Sequence, residues 1–226
     1  MGESMIYSFC LLFVLFVIYS FIGYMAEVLK VSYSKHRWVF SRGYLGGPYL
    51  PIFGMGSILV IYFLQSYQND VVVLFIMSLT ICCLLEYFTS LLLEKIYNLR
   101  WWDYSYKKYH INGRVCLENG ILFGIAGVLL IRYFHPFLLS FLERFSPRTI
   151  IILGMVLFVI ITVDFFISTF VVFQIKDELE DYTEKDSTEQ VRTKMKEFFL
   201  YPFFYSRLFS AFPDILTNKK KNRSRD

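Results

Sequence analysis

Long apolar runs with few or no charges constrain this chain more than any other feature of its sequence. Five runs stand out, over residues 5–26, 43–69, 71–93, 117–134 and 149–175. A helix needs about 20 apolar residues to cross the hydrocarbon core of a membrane. A water-surrounded core cannot bury so much apolar surface in a chain of 226 residues, 56% of them hydrophobic. The sequence therefore predicts an all-α polytopic membrane bundle of about five transmembrane helices, the second over about 49–64.

Lysines and arginines indicate how these helices are oriented. They concentrate in the stretches 30–42 and 95–114 and in the tail, whereas the turn 65–70 contains none. Short loops rich in Lys and Arg stay on the cytoplasmic side. Five spans place both basic stretches and the tail on one side, although three arginines in 132–148 are a mild violation. We therefore predict a multi-pass cell-membrane protein with its N-terminus outside and its C-terminus in the cytoplasm.

The chain divides into a transmembrane domain, 1–175, and a cytoplasmic tail, 176–226. Acidic and basic residues are mixed over 176–197, which predicts a solvated helix. The following stretch, 198–216, is aromatic-rich but is interrupted by Pro202 and Pro213. That pattern favours a segment lying in the membrane interface, with the basic end of the tail against anionic lipid. Membrane lipid is thus an expected partner.

Charge and cysteine content exclude other classes of function. A formal net charge of +4 gives no reason to expect a nucleic-acid partner. The four cysteines form no CxxC pair and the three histidines are scattered, so neither a metal centre nor a disulfide framework is indicated. We expect no metal and no cofactor.

The first 130 residues contain two similar halves, about 7–66 and 74–134. Glu27 and Glu94 each end a span, and each is followed by a basic and aromatic loop that leads to an arginine, Arg42 or Arg114. A Phe-Gly pair then follows in both halves, at 53–54 and 123–124. Repeats of two spans keep their direction in the membrane, so the halves would be parallel repeats. Chance similarity between apolar, glycine-bearing segments is the alternative.

Ionisable residues inside spans indicate where function could lie, because each needs a partner or a wet cavity. Glu86 and Asp164 lie well inside their spans, and Glu86, Ser90 and Glu94 share one helix face. Arg42 and Arg114 are the candidate partners. The groups could form a buried structural ion-pair network or line a cavity open to the cytoplasm. For the second case the predicted substrate-binding residues are Glu27, Arg42, Glu86, Glu94, Asp103, Asn112 and Arg114.

Two local sequences are unusual. The stretch 41–56 contains Gly46-Gly47-Pro48 and Pro51, which predicts a re-entrant or broken helix. Nearby glycines at 54, 56, 124 and 127 are typical of close helix packing. The stretch 101–105, WWDYS, is either an interfacial aromatic belt or a loop folded over the cavity mouth with Asp103 facing Arg114 or a ligand.

Several segments together resemble a known family. They are YSFIGYMAEV (19–28), SRGYLGGPYLPIFGMG (41–56), LEYFTSLLLEK (85–95), WWDYS and INGRVCLENGILFG (111–124). Over about 7–135 they resemble the bacterial membrane family called putative ABC-transporter type IV, or CmpB-like putative permeases, with Ser41 and Tyr24 as departures. The resemblance implies a transport permease. The chain contains no GxxxxGK[ST] phosphate loop, so an ATP-driven role would need a separate ATPase subunit as partner.

Three functions are consistent with these features. The first is a transport component whose arginines attract an anionic substrate from the cytoplasm. The second is a membrane-embedded enzyme acting on a lipid phosphate, although no catalytic motif identifies a reaction and we assign no catalytic residue. The third is a structural or regulatory partner of another membrane protein.

Overall fold

Helices dominate the computed structural model, which describes residues 2–36, 38, 43–97 and 100–185. In chain order the helices are α1 (Gly2–Lys35), α2 (Pro51–Leu64), α3 (Val71–Tyr97), α4 (Leu117–Leu129), α5 (His135–Leu142) and α6 (Pro147–Lys185). A π-helical turn, Leu130–Phe134, joins α4 to α5. Two short antiparallel strands, β1 (His110–Ile111) and β2 (Val115–Cys116), form a hairpin before α4.

Four of the helical bodies in the described residues are long and apolar enough to cross a membrane. They are Glu3–Tyr33, Val71–Tyr97, Leu117–Leu142 and Pro147–Phe173, and Pro51–Tyr67 is a shorter apolar helix. Each of the five apolar runs in the sequence coincides with one of these bodies. The predicted class, a helical membrane bundle, is therefore confirmed, with four candidate spans and one shorter apolar helix in the described residues.

From α1 to α4, helices that follow one another in the chain pack against each other, and α6 packs against α1. α1 packs against α2 and α6, α2 also against α3, and α3 against α4. Small residues let the backbones approach: a side chain on Gly54 would collide with Ser20 and Phe16 of α1, and one on Gly124 with Phe75 of α3. The predicted role in close helix packing is confirmed for Gly54 and Gly124, whereas a side-chain carbon on Gly56 would make only ordinary contacts, 3.5 Å to Leu85 and 3.6 Å to Cys82.

The turns at 65–70 and 143–146 lie together at one end of the bundle, because the residues that flank them, Leu64, Leu74, Leu142 and Ile150, belong to one buried cluster. The opposite end, which we call the polar end, comprises the C-terminal parts of α1, α3 and α6, the N-termini of α2 and α4, and the segments 43–50 and 100–116. Cross-contacts hold it together: Tyr44 Oη bonds to Tyr97 Oη at 2.8 Å and to Thr169 Oγ1 at 2.7 Å. The polar end is thus where the charged residues of separate helices can meet.

Residues 43–50 are not helical, as the glycines and prolines predict, and α2 begins at Pro51. Asp164 of α6 holds this segment. Its carboxylate accepts hydrogen bonds from the Gly46 and Gly47 amides at 2.9 and 2.8 Å, and from the Tyr49 hydroxyl. Among the described residues, backbone amides and a tyrosine bind Asp164, for which we expected arginine partners, because the broken segment frees its N–H groups to donate.

Several predictions concern residues that lie outside the described ones. Arg42 is among them, and so is the tail beyond residue 185, including the interfacial segment 198–216. Within the described part, α6 continues as one helix across the predicted domain boundary at 175 as far as Lys185.

Candidate functional site

One carboxylate binds two arginines at the polar end. Glu94 Oε2 lies 2.7 Å from Arg114 Nη1 and 3.3 Å from Arg100 Nε. Arg100 also lies 3.4 Å from Asp103 Oδ1. We call these four residues the arginine cluster. Two guanidiniums and two carboxylates balance in charge, and such charge-assisted contacts are the strong ones among hydrogen bonds.

A tight hairpin places Arg114 in this cluster. Asn112 and Gly113 turn the chain between β1 and β2 with φ angles of 52° and 68°, a conformation that Gly and Asn adopt most readily. The Tyr104 amide donates to Gly113 O at 2.7 Å, and the Trp102 indole donates to Arg114 O at 2.9 Å. The stretch WWDYS therefore folds back along the hairpin and fixes the backbone that carries Arg114.

Further contacts connect the hairpin to α3. Arg114 Nη1 donates to Ser90 Oγ at 3.2 Å, and its guanidinium lies 5.8 Å from the centre of the Tyr87 ring. The Asn112 side-chain amide donates to Tyr87 Oη at 3.0 Å, and Arg100 donates to Asn112 O at 3.0 Å. The Arg114 side chain is only 11% exposed. Its charge is therefore compensated within the protein rather than by water.

A second group of polar residues surrounds Glu86 of α3, which is 6% exposed. Tyr104 Oη donates to Glu86 Oε1 at 3.1 Å, whereas Oε2 is buried without a hydrogen bond of normal geometry among the described residues. Lys30 and Glu27 of α1 lie within electrostatic range of this carboxylate, and Asn119 of α4 approaches it. We call these five residues the Glu86 chamber.

The Tyr104 hydroxyl links the chamber to the hairpin. Burial and the neighbouring Glu86 raise the pKa of Tyr104 far above its ordinary value. The phenol therefore stays protonated at any physiological pH and can only act as a donor to the carboxylate. This bond ties the loop that precedes the hairpin to the middle of α3.

Two lysines, Lys30 and Lys107, form contacts at the outer side of the polar end. Lys30 Nζ donates to Asn119 Oδ1 at 2.9 Å, which connects α1 to the start of α4. Lys107 pairs with Glu118 at the surface, and this hydrogen bond raises the Lys107 pKa. Both lysines are thus engaged by α4 side chains.

The structure brings most of the predicted site residues to one end of the bundle. Glu94, Asp103, Asn112 and Arg114 meet in or beside the arginine cluster. Glu86 lies in the neighbouring chamber with Glu27 nearby, and Tyr104 donates to it, whereas Arg114 pairs with Glu94. Arg42 lies outside the described residues. That these residues bind a substrate stays a prediction.

Sequence reasoning missed four residues of the site: Lys30, Arg100, Tyr104 and Asn119. Lys30 follows Glu27 by three residues, so the two share a helix face, and this spacing could have indicated it. Arg100 and Tyr104 lie on a loop whose path depends on tertiary contacts, which no periodicity shows. In the described residues no group of three or more His, Cys, Asp or Glu side chains could hold a metal ion.

A family model described as putative ABC-transporter type IV matches residues 14–169, which extends into α6, beyond the region 7–135 over which the sequence motifs showed the resemblance. No curated protein and no solved structure matches the chain.

Proposed function

We propose a transport function for this chain, which belongs to the putative ABC-transporter type IV family. Family membership and the long apolar helices support a membrane transporter-like protein. The more specific proposal is that it is a permease-like component that binds an anionic substrate at its polar end. Its arginine cluster would contact the anionic group.

The convergence of two guanidiniums on one carboxylate supports this proposal. Arg100 and Arg114 both contact Glu94 Oε2. Guanidinium groups match carboxylate and phosphate oxygens in charge and in planar geometry. Glu94 therefore occupies the position that the anionic group of a substrate would take. In the proposed cycle the substrate displaces Glu94 from at least one arginine.

Orientation and energy coupling belong to the same proposal. The basic residues of the hairpin argue by the positive-inside rule that the polar end faces the cytoplasm. An anion would then reach the arginine cluster from that side. Because the sequence has no phosphate loop, ATP-driven movement would depend on a separate ATPase subunit.

Anion binding to the full chain in lipid nanodiscs tests the proposal, with inorganic phosphate and succinate as probes. Calorimetry should detect binding of at least one probe to the wild type. Arg114→Lys keeps the charge but loses the planar fork, and should weaken binding roughly tenfold or more. Glu94→Gln should tighten binding, because it removes the internal competitor.

Glu3→Gln is the matched control, because it removes an exposed carboxylate from the first turn of α1. It should leave the affinity unchanged. Absence of binding in both the wild type and Glu94→Gln would overturn the proposed anion site. Weaker binding in Glu94→Gln than in the wild type would show that Glu94 supports the site rather than competes for it.

A structural or regulatory partner of another membrane protein is the second candidate. The observation that favours it is the pairing of both described cluster arginines with carboxylates, which is how a purely structural network would look. Gentle solubilisation and co-purification separate the two functions. A stably bound ATPase supports transport, whereas a bound sensor or enzyme supports the second candidate.

A further inference from the structure

Among the described residues, Glu86 is a buried acidic group whose hydrogen bonding is incomplete. Its side chain lies within the apolar run of α3 and is 6% exposed. Tyr104 Oη donates to Oε1 at 3.1 Å, but Oε2 has no hydrogen bond of normal geometry among the described residues. An ionised carboxylate is costly to bury unless its oxygens are satisfied. Oε2 therefore requires either a donor or a proton.

Among the described residues, no neighbouring group forms a hydrogen bond of normal geometry with Oε2. From α1, Lys30 is the nearby cation, but its Nζ donates to Asn119 Oδ1 at 2.9 Å, and Glu27 adds negative charge. Asn119 approaches from α4, Tyr104 from the loop, and Cys82 and Cys83 from α3 itself. Gly56 of α2 lies against Leu85 and Cys82 of this part of α3, and Asp164 of α6 is bound by the segment 43–50.

We propose that Glu86 is a proton-binding site, with the proton held on Oε2 in the structure described. A hydronium ion from the aqueous side delivers the proton, an O–H bond forms at Oε2, and water is released. Lys30 is exposed at the edge of the Glu86 chamber, and its Nζ contacts Asn119, which lies between Lys30 and Glu86 in the proposed proton path. The proton therefore enters between α1 and α4.

The proton site would add a proton-exchange step to the proposed transport function. Only this role in transport rests on the proposed function. A transport site that holds a removable proton can exchange it as the polar end changes conformation. Neutral Glu86 also lowers the negative charge beside Glu27, which would favour an approaching anion. The site itself depends on Glu86 and its surroundings, whether or not an anion binds the arginine cluster.

Infrared spectroscopy of the full chain in phospholipid vesicles at neutral pH tests the proposal directly. The wild type should show the C=O stretching band of a protonated carboxyl group. Glu86→Gln should lose this band. Glu94→Gln is the matched control, two turns further along α3, and should keep the band, because Glu94 is paired with two arginines. Transfer to D2O should shift the band to lower frequency, which shows exchange with solvent.

A second variant keeps the test decisive if Glu86→Gln fails to fold. Tyr104→Phe removes the hydrogen bond to Oε1 and should move the band in frequency without abolishing it. Absence of the band in the wild type, its persistence in Glu86→Gln, or an unmoved band in Tyr104→Phe would each overturn the proposal. None of these outcomes depends on anion binding, so failure here is distinguishable from failure of the proposed transport function.

Discussion

At the scale of single residues, the arginine cluster shows how charges are accommodated at the end of an apolar bundle. Glu94 and Arg114 are only 22% and 11% exposed, so water compensates neither charge well. Removing one partner of such a pair leaves the other buried and uncompensated. The hairpin that carries Arg114 should therefore depend on the pair for its position against α3.

A double-mutant cycle measures this dependence. Glu94→Gln and Arg114→Gln should each lower the free energy of unfolding by about 3 kcal/mol. The double variant should lose less than the sum, with a coupling of about 1–3 kcal/mol. Reversible unfolding in mixed micelles provides the measurement. The exposed pair Lys107 and Glu118 is the control and should show little coupling; additive losses for Glu94 and Arg114 would contradict the pairing.

The arginine cluster was predictable from sequence only in part. Glu86, Ser90 and Glu94 share a helix face at a spacing of four, and this pattern identified the side of α3 that meets Arg114. The partner of Glu86 was not predictable in the same way. Tyr104 reaches it from a loop, and loop paths are set by tertiary contacts rather than by periodicity.

At the scale of elements, the apolar runs predicted the helices well because the bilayer allows few alternatives to a helix of full length. Their ends were less predictable. The apolar run predicted over 117–134 forms α4 and the π-helical turn, and the helical body continues as α5 to Leu142, because apolar residues resume after Arg132. The two-residue strands β1 and β2 were not predicted, since so short a hairpin leaves no periodic signal.

Helix packing provides a test at this scale. Gly54 of α2 lies against α1, and a Cβ there would approach Phe16 O to 2.6 Å. Gly54→Leu should therefore force α1 and α2 apart and cost about 1–3 kcal/mol of unfolding free energy. The neighbouring Met55 is 47% exposed, so Met55→Leu is a matched control. Equal unfolding midpoints for the two variants in mixed micelles would contradict the packing described.

At the scale of the whole molecule, the proposed internal repeat has a consistent geometry. Gly54 packs on the helix that precedes it, α1, and Gly124 packs on its own preceding helix, α3. The matching phenylalanines, Phe53 and Phe123, contact each other with ring centroids 6.3 Å apart. Parallel repeats around a common axis would bring equivalent residues together in this way. The repeat stays a prediction, because Arg42, the residue that would correspond to Arg114, lies outside the described residues.

The orientation of the bundle determines what its polar end can bind, since the proposed anion site and proton site both lie there. Sequence predicted this orientation from Lys and Arg in the loops, whereas the fold shows only that the hairpin and the turn 65–70 lie at opposite ends. Lys108 lies in the segment that leads into the hairpin and Gln68 in the turn, and both are exposed. They are therefore suitable positions for a probe of sidedness.

Labelling of single cysteines in intact cells with a membrane-impermeant thiol reagent tests the central claim most directly. Lys108→Cys and Gln68→Cys are introduced into a chain whose native Cys10, Cys82, Cys83 and Cys116 are replaced by alanine. The account predicts labelling of Gln68→Cys in intact cells and of Lys108→Cys only after the membrane is opened. Labelling of Lys108→Cys in intact cells would place the polar end outside and contradict a site that opens to the cytoplasm.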